Sequence, residues 1–421
     1  MNKLNSYEII PNGKLYGTIK NQTSKNATLP ILSSSILCDK GLIKIIDYPK
    51  ITDIENMLSL LKKIGVKITK QDKNLILDTS KANNAEIDCE LTKTMRSSLF
   101  LLGPMLSKFK SIILTMPGGC AIGKRPIDIH INAFKRLGVK VNIMGEFTVF
   151  DAENAHSGKI RLRIPSVGAT ENIIQFACKL KGKTVIYNPA REPEIVDLAN
   201  FLNQMGAKII GAGTKKITIY GVDKLNGVVY KPIGDRIVSG TLACAVAICG
   251  GDVTITNACP YQNLKLIEIM RSIGCQIDIK NDIIHIIKGN SLLSTTKIET
   301  GYYPNFPTDL QSIMLTVSCF CGGETIIKEN VFENRFLTIK ELQKMGAKIK
   351  LVNNKVVKIK GVEKLVGNTI VAKDLRGGAS LVLAGLIADG KTKVENIHFI
   401  DRGYENLEGM LNSLGANIRR V

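Results

Sequence analysis

A short segment recurs six times along the chain, and its spacing limits the fold more than any other feature. It reads apolar, two intervening residues, apolar, glycine, then a small or apolar residue, at 61–66, 134–139, 202–207, 270–275, 342–347 and 411–416. Its glycines are Gly65, Gly138, Gly206, Gly274, Gly346 and Gly415, separated by 73, 68, 68, 72 and 69 residues. A period this regular over 421 residues marks six repeated units. Each glycine suits the position just past a helix end, where a left-handed backbone is wanted. A strand follows it, as at 208–210, and then a second, as at 217–220. Upstream in each unit lies another helix–strand signal, for example Gly182-Lys183-Thr184-Val185-Ile186 and Gly251-Asp252-Val253-Thr254-Ile255. The first helix of each unit, such as 173–180 or 380–387, is apolar on all sides and therefore expected to be buried. Buried helices with sheets outside them describe an inside-out α/β barrel. Six units divide into two such barrels of three.

The stretch 7–20 reads as two short strands around the turn Pro11-Asn12-Gly13. The last unit carries a single strand after Gly415, so the N-terminal strands are expected to complete it. The expected domains are 21–231 for the first barrel, and 1–20 with 232–421 for the second.

Charge and cysteine usage exclude several classes. The formal net charge is +20, but the lysines are scattered through every segment and aromatics are only 5%. A nucleic-acid binder would gather its basic residues in stripes and interleave them with aromatics, so none is expected. The excess is read as solvated surface, with a share left for drawing anionic small molecules into a cleft. Most of the ten cysteines sit in apolar runs, there is no CxxC pair, and only four histidines occur. These are buried free thiols of a reducing compartment, which suggests the cytoplasm, and no zinc site or other metal centre is expected. The first residues lack the apolar core of a signal peptide, and no run of 18 apolar residues could cross a membrane.

The residues opening the six buried helices carry the functional signal: Lys25-Asn26, Arg96, Thr170-Glu171, Asp235-Arg236, Thr308-Asp309 and Asp374-Leu375-Arg376. Thr and Asp there are ordinary caps. Lys25, Arg96, Arg236 and Arg376 are not, because cations oppose the helix dipole at an N-terminus. A bound phosphate or carboxylate would account for them. A second signal is the run 117–130, with three glycines, two prolines and Cys120 close to Lys124 and Arg125. Neighbouring cations favour a thiolate, so Cys120 reads as the reactive thiol of a polar loop.

These same positions carry a resemblance over essentially the whole chain. Lys25-Asn26-Ala27-Thr28-Leu29-Pro30, Met95-Arg96-Ser97-Ser98, the run 117–130, Ser166 to Asn172 and Ala190-Arg191-Glu192-Pro193-Glu194 carry it in the first half. Phe306-Pro307-Thr308-Asp309, Phe332 to Phe336, Asp374-Leu375-Arg376 and Asp401-Arg402-Gly403-Tyr404-Glu405 carry it in the second. The chain resembles the enolpyruvyl transferases that use phosphoenolpyruvate and UDP-N-acetylglucosamine to begin bacterial wall-precursor synthesis. The resemblance implies two inside-out barrels, both of those small-molecule substrates, no cofactor, and a monomer or weak oligomer. It makes Lys25, Arg125 and Arg402 ligands of the phosphoenolpyruvate phosphate, with Asn26 beside Lys25. Arg335 and Arg376 become further cations near that substrate. Arg96, the segment Arg125-Pro126-Ile127-Asp128-Ile129, Ser166, Val167, Gly168, Asp309 and Val331 become the nucleotide-sugar site. Cys120 becomes the general acid and the site of a covalent phosphoenolpyruvate adduct. Two departures stand out: Gly377-Gly378 follows Arg376, which suggests a looser helix start, and Ile164 occupies a position that is polar in some members.

The chemistry needs these residue types. A sugar hydroxyl is a poor nucleophile and requires a base, for which Asp309 is the candidate, with Lys25 and Arg402 holding charge on the leaving phosphate. Protonation of the methylene carbon falls to Cys120. Transferases acting on shikimate 3-phosphate share the two-barrel plan, but the Cys120 loop and Arg125-Pro126-Ile127-Asp128 favour the nucleotide sugar.

Overall fold

The computed structural model describes residues 5–83, 96–115, 127–145, 147–289, 292–293 and 297–421, and for residues 96–98 and 115 the backbone alone. The chain divides at Gln22/Thr23 and Ile233/Gly234 into two compact units, one formed by the described residues of 23–233 and one by those of 5–22 and 234–421. Each has its own apolar core.

All six repeat glycines have a positive φ, between 81° at Gly138 and 110° at Gly206. The hydrogen bonds around them are the same six times. In the first copy the Val66 N–H donates to the Leu61 carbonyl and the Gly65 N–H to the Lys62 carbonyl. In the last, Ala416 donates to Leu411 and Gly415 to Asn412. This is the Schellman closure, and it requires the left-handed residue that glycine supplies without strain.

Five four-stranded sheets share one plan: an edge strand pairs parallel with the second, and the third and fourth pair antiparallel. In one of them Lys159–Arg161, Lys183–Tyr187, Lys216–Tyr220 and Lys208–Ile210 follow in that order. A sixth sheet is described over three strands, Ser111–Thr115, Phe147–Asp151 and Lys140–Met144. The strands alternate buried and exposed residues, so each sheet covers the core with one face. The helices Leu102–Phe109 and Val167–Ala177 pack together inside one unit, and Arg236–Cys249, Gln311–Ser318 and Leu375–Gly385 inside the other. In Arg236–Cys249 every residue up to Ile248 is buried. The result is helices within and sheets without, an inside-out α/β fold in both units.

Three local expectations change. The strand Ser6–Ile9 does complete the last repeat, lying between Thr392–Glu395 and Ile418–Arg420. The strand Leu15–Lys20 does not join it; it pairs parallel with Gly251–Thr256 in the neighbouring sheet. The third buried helix begins at Val167, not at Thr170, because the Ser166 hydroxyl accepts from the Ala169 N–H and caps it earlier. Thr170 instead donates to the Ser166 carbonyl and accepts from the Ala190 N–H. Nor is the helix start at Gly377-Gly378 loose. Asp374 accepts from the Arg376 and Gly377 N–H groups, and the two glycines are buried. A Cβ on Gly378 would meet Ile400 Cγ1 at 2.7 Å. The glycines there allow close approach.

Candidate functional site

In the unit of 234–421, three of the expected residues come together. Thr308 and Asp309 form the short 3-10 turn Thr308–Leu310 that leads into Gln311–Ser318. Asp309 Oδ1 accepts from Arg335 Nη2 at 2.7 Å, and Oδ2 accepts from Arg376 Nη2 at 3.2 Å. Both arginines are almost wholly buried, at 3% and 2% exposure, whereas the Asp309 side chain is 30% exposed. Arg335 also donates to the Thr308 carbonyl and lies over the Phe332 ring. Arg376 lies over the Tyr404 ring. Burial would lower the Arg376 pKa, but Tyr404, Asp309 and Asp235 more than offset it and hold the guanidinium charged. Tyr404 also takes a side-chain hydrogen bond from that guanidinium.

Val331 is placed by a residue that sequence reasoning passed over. Glu329, wholly buried, accepts from the Val331 and Phe332 N–H groups through Oε1 and from the Thr308 hydroxyl through Oε2. One carboxylate thus joins the 331–332 turn to the turn bearing Asp309. Arg402 ends the 3-10 turn Ile397–Arg402 and is exposed. Its neighbour Asp401 is held by both terminal nitrogens of Arg420 at 2.8 Å.

In the unit of 23–233, Lys25 is the first residue of Lys25–Ser34, capped by the Ser24 hydroxyl. Its ammonium meets Asp53 Oδ2 at 3.2 Å, with both side chains nearly buried. Asn26, beside it, is half-buried. Arg96 opens the 3-10 turn Arg96–Leu101. Ile127 is half-buried, Asp128 is exposed and paired to Arg163 at 3.1 Å, and Ile129 is buried. Ser166, Val167 and Gly168 form the capped start of Val167–Ala177. Ile164, just upstream, packs against the apolar core. Glu171 is buried, and that burial, helped by Glu194 and Glu192, pushes its carboxyl well above the usual range.

Cys120, Lys124, Arg125 and Pro126 lie outside the described residues. The other thiols bear on them indirectly. Burial raises the pKa of Cys38 and Cys244, takes Cys178, Cys249, Cys319 and Cys321 up to about 12, and Cys275 to about 11. These seven are protonated and poorly nucleophilic at neutral pH.

The family model of EPSP synthase (3-phosphoshikimate 1-carboxyvinyltransferase) matches residues 9–411. A UDP-N-acetylglucosamine 1-carboxyvinyltransferase of Finegoldia magna is 44% identical over 97% of this chain and 96% of its own. One of Endomicrobium trichonymphae is 46% identical over 97% of both chains. The chain belongs to the UDP-N-acetylglucosamine 1-carboxyvinyltransferase family. Among solved structures, the enolpyruvyl transferase NikO from Streptomyces tendae superposes with a TM-score of 0.89 at 22% identity, covering 98% of each chain. EPSP synthase from Acinetobacter baumannii gives 0.77 at 18% identity over 99% of each. At those identities the two share the fold of this UDP-N-acetylglucosamine 1-carboxyvinyltransferase family member. Glu329, Asp53 and the contact between Asn172 and His130 were not singled out from its sequence. Glu and Asn signal nothing by type alone, and their partners lie 21 to 73 residues away for Glu329–Thr308 and Asn172–Leu99.

Proposed function

We propose that this chain transfers the enolpyruvyl group of phosphoenolpyruvate to the 3′-hydroxyl of UDP-N-acetylglucosamine, releasing phosphate, as the first committed step of peptidoglycan precursor synthesis. The observation that carries the reading is the match at 44–46% identity over nearly the whole of both chains. The Asp309–Arg335–Arg376 cluster supplies chemistry that fits it.

In this reading the 3′-oxygen bonds to C2 of phosphoenolpyruvate as its proton passes to Asp309, while C3 takes a proton from Cys120. The tetrahedral adduct then loses phosphate from C2 and a proton from C3, leaving an enol ether. Arg335 and Arg376 hold the anionic phosphoenolpyruvate. A carboxylate bonded to two guanidiniums is a weak base. Arrival of the substrate anion draws the guanidiniums away and makes Asp309 basic when a proton has to move. Lys25 and Arg402, with Arg125, hold the leaving phosphate. Arg96, Arg125, Pro126, Ile127, Asp128, Ile129, Ser166, Val167, Gly168 and Val331 hold the nucleotide sugar, and Asn26 supports Lys25.

The same reading makes the protein a cytoplasmic monomer or weak oligomer. No helix among the described residues is long and apolar enough to cross a membrane, and the eight described cysteines are unbridged. Phosphate release from phosphoenolpyruvate, measured with UDP-N-acetylglucosamine and separately with shikimate 3-phosphate, tests the function. Release with the first acceptor and not the second is expected. The reverse would assign the chain to the other branch of the matching family.

A further inference from the structure

Asn172 sits in the second turn of Val167–Ala177 and is 1% exposed. Its Oδ1 accepts from the Gly103 N–H at 2.5 Å. Its Nδ2 lies 2.9 Å from the Leu99 carbonyl, 3.0 Å from the Gly168 carbonyl and 3.3 Å from His130 Nδ1. The orientation of the amide is forced, because a backbone N–H faces one end and two carbonyls face the other. The two hydrogens serve the carbonyls, and His130 Nδ1 shares one of them as a third, longer acceptor. The imidazole is therefore neutral with its proton on Nε2. Burial agrees, lowering the His130 pKa to about 4 against the opposing pull of Asp128.

The backbones have closed around this one side chain. A Cβ on Gly103 would lie 2.3 Å from the Asn172 carbonyl oxygen, and one on Gly168 would lie 3.2 Å from His130 Cε1. Three separate pieces of chain are held: the 3-10 turn opened by Arg96, the helix start at Ser166 to Gly168, and, through His130, the Asp128–Arg136 helix. Those are the described segments of this unit that bear the proposed nucleotide-sugar residues. Packing alone would be met by an apolar residue here; four polar contacts from one buried amide fix relative placement as well.

We propose that Asn172 is a positioning residue for the nucleotide-sugar half of the site, acting through the Gly168 and Leu99 carbonyls and through His130. The proposal rests on the function proposed above. It separates the two substrates, because the side-chain hydrogen bonds of Asn172 go to Gly103, Leu99, Gly168 and His130 and to none of the described residues assigned to phosphoenolpyruvate. Asn172→Asp keeps the acceptor toward Gly103 and removes both donor hydrogens. Its KM for UDP-N-acetylglucosamine should rise about tenfold or more, with the KM for phosphoenolpyruvate within about twofold of the parent. His130 gives a second, milder test. His130→Asn keeps an acceptor facing Nδ2 and should hold the parent KM for the nucleotide sugar, whereas His130→Phe should raise it. The experiment is steady-state phosphate release with each substrate varied in turn, with thermal unfolding of every variant alongside. Parallel changes in the two KM values, a lowered melting temperature with both KM values intact, or equal effects of His130→Asn and His130→Phe would each overturn the positioning role. If the parent protein releases no phosphate with UDP-N-acetylglucosamine, the proposed function itself has failed, whatever the variants do.

Discussion

Replacing Asp309 by Asn separates base chemistry from substrate binding. The amide has the shape of the carboxylate but turns an NH2 group toward one of the two guanidiniums that now lie 2.7 and 3.2 Å from its oxygens. One charge-assisted hydrogen bond is lost and a donor faces a donor. The cost is about 2 kcal/mol, moderated by the partial exposure of Asp309. For a body of this size that lowers the melting temperature by roughly 4–8 °C, leaving the protein folded at assay temperature. The effect on turnover is larger. General-base terms are worth about 10²–10⁴ in rate, or roughly 3–5 kcal/mol of barrier. Binding should move the other way. Asp309 competes with phosphoenolpyruvate for Arg335 and Arg376, so its removal leaves two buried cations seeking an anion. The KM for phosphoenolpyruvate should fall or stay level while kcat collapses. Phosphate release at saturating nucleotide sugar gives both constants. Turnover within about threefold of the parent would remove Asp309 from proton transfer, and a strongly raised KM would contradict the competition.

Four further outcomes are expected. Cys120 should be alkylated ahead of the seven thiols that burial keeps protonated, and the phosphonate epoxide fosfomycin should label it, as read by peptide mass mapping; Cys120→Asp should retain some activity, Cys120→Ser very little. Glu329→Gln should cost about 1–2 kcal/mol, seen as a melting shift, by turning a donor toward N–H groups or hydroxyl that now share its carboxylate. Gly378→Ala should cost about 1–3 kcal/mol through its clash with Ile400, measured by denaturant unfolding. His130 has a folded pKa of about 4, below its unfolded value of 6.5, so its contribution to stability is present above pH 6.5 and is lost as pH falls toward 4. Stability of His130→Asn should therefore fall less over that interval than the parent's, and an unchanged slope would remove His130 as its source.

The repeat was legible because each unit announces itself with a residue that backbone geometry demands. Gly65 and its five counterparts close helices in a conformation that other residues resist, so the sequence carries the plan directly. Arg376 was legible as a cation at a helix start that disfavours one, whereas Asp309 read there as an ordinary cap and Arg335 entered only through the resemblance. The early start of Val167–Ala177 was not, because Ser166 and Thr170 are both good caps and only the bond from Ala190 to Thr170 decides between them. The destination of Leu15–Lys20 was not either, since two neighbouring sheets offer the same parallel edge. Asn172 and Glu329 were hidden for a related reason. Each joins groups that folding brings close, Gly103 and Leu99 at Asn172 and Thr308 at Glu329, and such pairings leave no mark in the sequence.

What decides the function is which bond is made. Incubating the protein with UDP-N-acetylglucosamine and phosphoenolpyruvate labelled with carbon-13 at C2, then recording the carbon spectrum of the nucleotide sugar, reads that bond directly. Enolpyruvyl transfer predicts the label as an enol ether carbon joined through oxygen to C3 of the sugar, with one phosphate released for each. Label recovered as pyruvate beside unchanged nucleotide sugar would contradict it.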